Sequence, residues 1–177
     1  RHPEVPLQLR QLLADPQAFF DSRLDIGLVR TPFVDERLEV HAVATEQRCM
    51  LVPASHPAAG AEVSSVTDFF DEEFAALGPA IRATRDYWMA NDRRGGEAAR
   101  IGGEAITAHE GLHVVAHLNL VTVGCPSVVR SFPSVAIASV ELPDLAPCTL
   151  AMVTRRGDSR PIVAEFIDLA RVAISEF

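Results

Sequence analysis

Residues 24–30, LDIGLVR, and residues 51–57, LVPASHP, decide the fold. The first is an apolar run interrupted by Asp25 and Gly27 and ended by Arg30. Being apolar on both faces, it reads as a buried parallel strand. Arg30-Thr31-Pro32 ends it, because proline cannot donate to a β-ladder. The second is a strand that runs into a Ser-His-Pro turn. Working outward, further strands are expected at 5–9, 38–44, 48–52, 74–77, 98–102, 120–123, 135–142 and 149–154. Helices are expected from Pro16 through Phe20, over 65–70 behind Ser64 or Ser65, over 80–91, from Thr107 to about Leu118, and over 161–174. The last carries Val163, Phe166, Ile167, Ala170 and Ile174 on one stripe. Residues 56–60 read as a loop and 91–96 as a polar turn. Strands and helices alternate, which implies an α/β fold with largely parallel sheets. Ligands of open α/β sheets sit beyond the carboxyl ends of the strands, and that rule points to the exit loops carrying Pro, Gly or Thr.

The composition bounds the function. The chain has 177 residues, 48% hydrophobic and 23% charged, the profile of a globular protein with a sizeable core. No apolar run reaches the roughly 18 residues of a membrane-spanning helix, and the N-terminal residues hold no apolar signal segment. A net charge of -8 without a basic patch argues against a free-standing nucleic-acid binder. Cys49, Cys125 and Cys148 are odd in number and far apart, which favours reduced thiols and a cytoplasmic setting.

The most conspicuous motif is His109-Glu110-Gly111-Leu112-His113, which fits HExxH. That spacing puts two imidazoles on one helix face for zinc, with a glutamate as general base. His117 continues the face. The third ligand is the difficulty: a metzincin needs Gly and His where the chain has Ala116 and Asn119, and Glu141 falls in a strand-like segment. Histidines on an ordinary helix are the leading reading. Arg156-Gly157-Asp158 is explained by a turn before a helix capped by Asp158 or Ser159. Tyr87 and Trp88 read as packing residues. Cys125 lacks an evident base, and Ser55-His56-Pro57 is a turn and no triad.

The ordered pair LDIGLVR and LVPASHP resembles the effector-binding domain of LysR-type transcriptional regulators. The segments HPEVPLQL, TDFFDEEF (67–74), Val115-Ala116 ahead of a strand and Pro126, and LAMVTRRGDSRPIVAEFIDLAR (150–171) follow in that family's order. The resemblance implies two Rossmann-like α/β lobes joined by two crossover strands, like a type II periplasmic binding protein. Lobe I would be 1–45 and 147–177, and lobe II 46–146, with crossovers near Glu46 and Pro147. It implies a small-molecule sensor without catalytic residues, cofactor or metal. The effector, a carboxylate or aromatic metabolite, would lie in the interlobe cleft of a homodimer or homotetramer. DNA would be contacted only through a winged-helix domain that this sequence lacks.

Two departures from the family pattern stand out. The sequence begins after the family's first strand and helix, so these lobe I elements are expected to be missing. Leu118-Asn119-Leu120 stands where the family often has Gly-x-Gly, and Asn119 is suited to the left-handed conformation that turn needs.

Matching cleft-lining positions gives the effector-binding candidates Gln11, Leu12, Leu13, Arg30, Thr31, Leu77, Gly78, Pro79, Ala108, His109 and Cys148. His109 would stand in the first turn of a helix whose N-terminus favours an anion, where its charge responds near neutral pH. The alternatives are a solute-binding protein of the same fold and an HExxH zinc hydrolase.

Overall fold

The computed structural model describes residues 3–10, 17–21, 23–78 and 82–175. The elements in chain order are α1 (Gln17–Phe20), β1 (Gly27–Arg30), β2 (Leu38–Glu46), β3 (Cys49–Pro53), β4 (Glu73–Leu77), α2 (Arg82–Trp88), β5 (Arg100–Ala105), α3 (Ala108–Leu118), β6 (Thr122–Gly124), α4 (Pro126–Ser131), β7 (Ile137–Glu141), β8 (Cys148–Arg155) and α5 (Pro161–Ser175). Short 3₁₀ turns cover Pro57–Gly60, Val66–Phe69 and Asn91–Arg93.

One sheet has the order β1-β8-β2, and both of its ladders are antiparallel. Its packing layer is Phe19, Leu38 and Val153 on one side, and Met152 against Val163 and Ile167 of α5 on the other. A second body is built on β3, whose five residues are all buried, flanked antiparallel by β6 and β7. The parallel pair β4-β5 joins it through the Phe74–Val121 bridge. Met50, Val52, Phe69, Phe74, Val121 and Val140 form its core.

Three sequence expectations change. Parallel pairing is confined, among the described residues, to β4-β5 and two isolated bridges, so the sheets are not largely parallel. The reason is that β8 and β3, the central strands of the two bodies, each run opposite to both neighbours. The 24–30 segment is not a buried parallel strand. It enters the ladder at Gly27, pairs antiparallel with β8 alone, and leaves Leu28 60% exposed. Residues 5–9 form no strand; Leu7 and Leu9 are exposed, and among the described residues no strand pairs with this segment to give it a ladder. α4 was not anticipated, although proline at its first helical position is a recognisable start signal.

Other expectations hold. Ser65 caps its turn in a reciprocal capping box with Asp68. Asn119 closes α3 in the left-handed conformation, φ 54°, so the turn survives without glycine.

The chain passes between the two bodies twice, and the two passages are stitched together. Glu46 and Cys148 are register partners at the ends of β2 and β8. Gln47 donates from Nε2 to the carbonyls of Leu142 and Leu145 at 2.6 and 2.8 Å. Arg48, 2% exposed, donates to the carbonyls of Ala146 and Tyr87 at 2.8 and 2.9 Å and lies 3.9 Å over the Tyr87 ring. A charge this deep is tolerated because it is hydrogen-bonded and stacked on an aromatic face.

Candidate functional site

A cavity of about 370 Å³ lies between the two bodies. One wall is the exit of β1: Leu28, Arg30, Pro32 and Phe33. The facing wall is the carboxyl end of β4, strand β6 and the first turn of α3, including Leu77, Thr122, Gly124 and Ala108. Trp88, Leu112 and Val128 close it with apolar surface. This is the arrangement expected of small-molecule sites, mostly apolar walls with a few placed polar groups. Thr84 spans the opening by donating to the Pro32 carbonyl at 3.2 Å.

The polar end of the cavity is organised by Arg30, which is buried enough that its charge must be matched. Its Nη2 lies 2.5 Å from Ser127 Oγ and 3.2 Å from Glu46 Oε2. Its Nη1 lies 3.2 Å from Cys148 Sγ. Glu46 in turn accepts from the Ser127 backbone N–H at 2.7 Å. Behind Arg30, Cys125 Sγ and Cys148 Sγ are 3.0 Å apart and both residues are fully buried. The Cys125 thiol donated to Cys148, and then Arg30, hold Cys148 below the usual thiol range against the opposing effect of burial. The same contact, with burial, pushes Cys125 up.

The sequence model of the LysR substrate binding domain matches residues 1–174. The chain belongs to that family. Solved LysR-family structures share the fold. The BenM effector-binding domain with its effector benzoate superposes with a TM-score of 0.73 at 19% identity, over 98% of this chain and 80% of that one. A full-length BenM variant gives 0.76 at 19% identity, over 98% of this chain and 58% of that one. A LysR family regulator from Pseudomonas aeruginosa gives 0.70 at 16% identity, over 89% of this chain and 56% of that one. The chain thus spans little more than half the length of the last two of these proteins. No curated protein matches it significantly. Identities this low establish the fold alone.

Within this LysR-family fold the candidates separate clearly. Arg30, Leu77 and Ala108 line the cavity. Cys148 lies one sulfur behind its wall. Thr31 ties β1 to β8, its N–H donating to the Thr149 carbonyl and its Oγ1 accepting from the Thr149 N–H. Gly78 spends its N–H on the Ala105 carbonyl at 2.6 Å. Gln11, Leu12, Leu13 and Pro79 lie outside the described residues. His109 does not line the cavity. Its ring stacks on Phe132 at 4.6 Å and meets His113, Nε2 to Nε2, at 3.2 Å. At the N-terminus of its helix, Glu110 accepts from the N–H groups of Ile106 and Thr107, and Thr107 Oγ1 accepts from the Glu110 N–H. That capping role also removes Glu110 from the position of a zinc hydrolase base. No cluster of three or more metal-ligating groups occurs among the described residues.

Sequence reasoning missed Phe33, Trp88, Gly124, Cys125 and Val128 as cavity residues. For Gly124 and Cys125 the signal was present: they end and follow a strand and precede a helix beginning with proline, the exit-loop position already favoured. Trp88 and Val128 sit on helices whose inward face only the tertiary packing reveals.

Proposed function

We propose that this chain is the effector-sensing part of a LysR-type transcriptional regulator, binding a small organic acid between its lobes and passing the change to an attached DNA-binding domain. The cavity carries this reading, because its walls come from two bodies between which the chain passes at the stitched double crossover. Lobe I is residues 1–45 and 147–177, and lobe II is 46–146. A ligand held by Leu28 and Phe33 on one side and by Leu77, Ala108 and Val128 on the other favours one lobe arrangement over others. Differential affinity of this kind is what shifts a conformational population. The apolar walls suit a ring or short aliphatic body, and Arg30 and Arg85 suit one carboxylate. Glu46 and Glu104 neutralise these arginines in the free protein, so an entering acid exchanges one ion pair for another. The benzoate bound by the BenM domain is a ligand of this class. In the assembled regulator, two or four copies carry the signal to DNA.

Titration calorimetry and thermal melting with a panel of aromatic and aliphatic carboxylates, benzoate included, test the proposal. At least one acid is expected to bind and raise the melting temperature. Ala108→Trp, at an exposed position on the cavity rim, is expected to abolish binding while the unliganded protein melts as before. The reading fails if no acid binds and none alters operator binding by the full-length regulator.

A further inference from the structure

Three exposed histidines, His109, His113 and His117, follow one another at four-residue spacing along α3. None of them lines the cavity. The Nε2 atoms of His109 and His113 lie 3.2 Å apart. A shared metal ion sets nearly this separation. Two nitrogens at about 2.0–2.1 Å from one ion stand about 2.8–3.0 Å apart at a right angle and about 3.3–3.4 Å apart at a tetrahedral angle.

Both rings are also held in place. The His109 and His113 planes cross at 73°, so lone pairs lying in those planes can address one point. Phe132 stacks on His109 at 4.6 Å, and His117 lies against His113 at 5.8 Å with 6° between the planes. A lone pair in a plane stacked parallel to another does not converge on the same ion, so His117 steadies His113 and is no third ligand. The backbone beneath is fixed by the Thr107–Glu110 capping box and by Asn119. His41 and His56 are placed differently: His41 Nε2 meets Thr154 Oγ1 at 3.0 Å, and His56 Nδ1 accepts from the Ala58 N–H at 3.1 Å.

We propose that His109 and His113 chelate a divalent cation from the nickel-to-zinc end of the first transition row, each through Nε2. Neutral imidazole suits these ions, whereas magnesium and calcium take oxygen ligands. In the free protein one ring must donate a proton to the other across the 3.2 Å contact. The ion replaces that shared proton and draws on both lone pairs. No group of three or more metal-ligating side chains occurs among the described residues, so water completes the shell and the ion exchanges readily. Glu110 is spent on the cap, which separates this chelate from a hydrolase centre. The chelate straddles Gly111, a residue that weakens a helix interior. Gly111 and Leu112 line the cavity with Ala108, so an ion joining residues 109 and 113 stiffens that wall. The site stands on α3 alone and is independent of what the cavity binds.

The test strips the tag-free, reduced full chain with EDTA and titrates it with Zn2+, and separately with Ni2+ and Mg2+. Calorimetry reads the binding of each ion, and NMR with Zn2+ follows the imidazole signals. One Zn2+ or Ni2+ per chain is expected, and no Mg2+. The His109 and His113 signals should shift together while those of His41 and His56 stay in place. Zn2+ should raise the melting temperature, and EDTA should reverse the rise. His109→Gln and His113→Gln, both at exposed positions, should each lose the calorimetric signal and the rise. His117→Gln and Cys125→Ser should bind like the parent. The imidazole shifts of the parent decide the matter if a variant folds poorly. The proposal is overturned if no Zn2+ binds, if Zn2+ binds without moving the His109 and His113 signals, or if Mg2+ binds equally. It is equally overturned if both glutamine variants bind like the parent, or if Cys125→Ser abolishes binding in a protein that still folds.

Discussion

Gly124 stands where β6 gives way to α4, and an added Cβ would lie 2.5 Å from Leu51 Cδ1 and 3.0 Å from its Cγ. Leu51 is itself buried in β3 and lines the cavity. Gly124→Ala should therefore drive Leu51 toward the cavity, costing about 1–3 kcal/mol by overpacking and weakening any effector. Denaturant melts and ligand titration of the one variant check both halves. Arg48 poses the opposite problem, a charge whose removal leaves acceptors behind. Arg48→Met keeps most of the volume but strips the Ala146 and Tyr87 carbonyls of their donors. A loss of about 1–3 kcal/mol is expected, measurable as a lower urea midpoint. A variant as stable as the parent would show that the crossover stitching is dispensable.

At the scale of elements, α3 is secured at both ends by residues visible in the sequence. Thr107 and Glu110 cap its start, and Thr107→Ala should cost about 1 kcal/mol. Asn119 ends it at positive φ, so Asn119→Gly should be neutral or slightly stabilising. Asn119→Val should lose about 1–2 kcal/mol, and thermal melts of the pair separate the two effects.

The turn before α5 makes a pH prediction. Arg160 donates to Asp158 and holds its carboxyl down to about 2, from an ordinary value of 3.8. A depressed folded-state value means the stabilisation is complete above about pH 4 and disappears as the pH falls toward 2. Asp158→Asn should accordingly be less stable than the parent at pH 7, with the difference closing over that window in parallel acid titrations.

For the whole molecule, the alternation of strand and helix was enough to reach an α/β class and the exit-loop rule pointed to strand ends, while the two lobes and the sensor role were what the resemblance carried by the order of the motifs implied. Arg30, Leu77 and Ala108 were reached by matching the family's cleft-lining positions, and each ends a strand or opens a helix at the cavity. Strand direction was not legible. An apolar run such as residues 24–30 looks alike whether its neighbour runs parallel or antiparallel, and only the return of β8 between β1 and β2 decides it. His109 shows the same limit: its helical position was readable, but the side on which Phe132 would stack was not.

The sequence by itself determined the family, through the order of its motifs, and the type of most elements and the caps of α3 and of the Val66–Phe69 turn, because these depend on local periodicity and on side chains bonding to their own backbone within three or four residues. Only the tertiary structure decided that Cys125 meets Cys148, that Arg30 gathers Glu46, Ser127 and a sulfur, and that a cavity opens beside them. Those contacts join residues some 16 to 118 positions apart. Such distances are closed by packing two bodies across a double crossover, which no local pattern encodes.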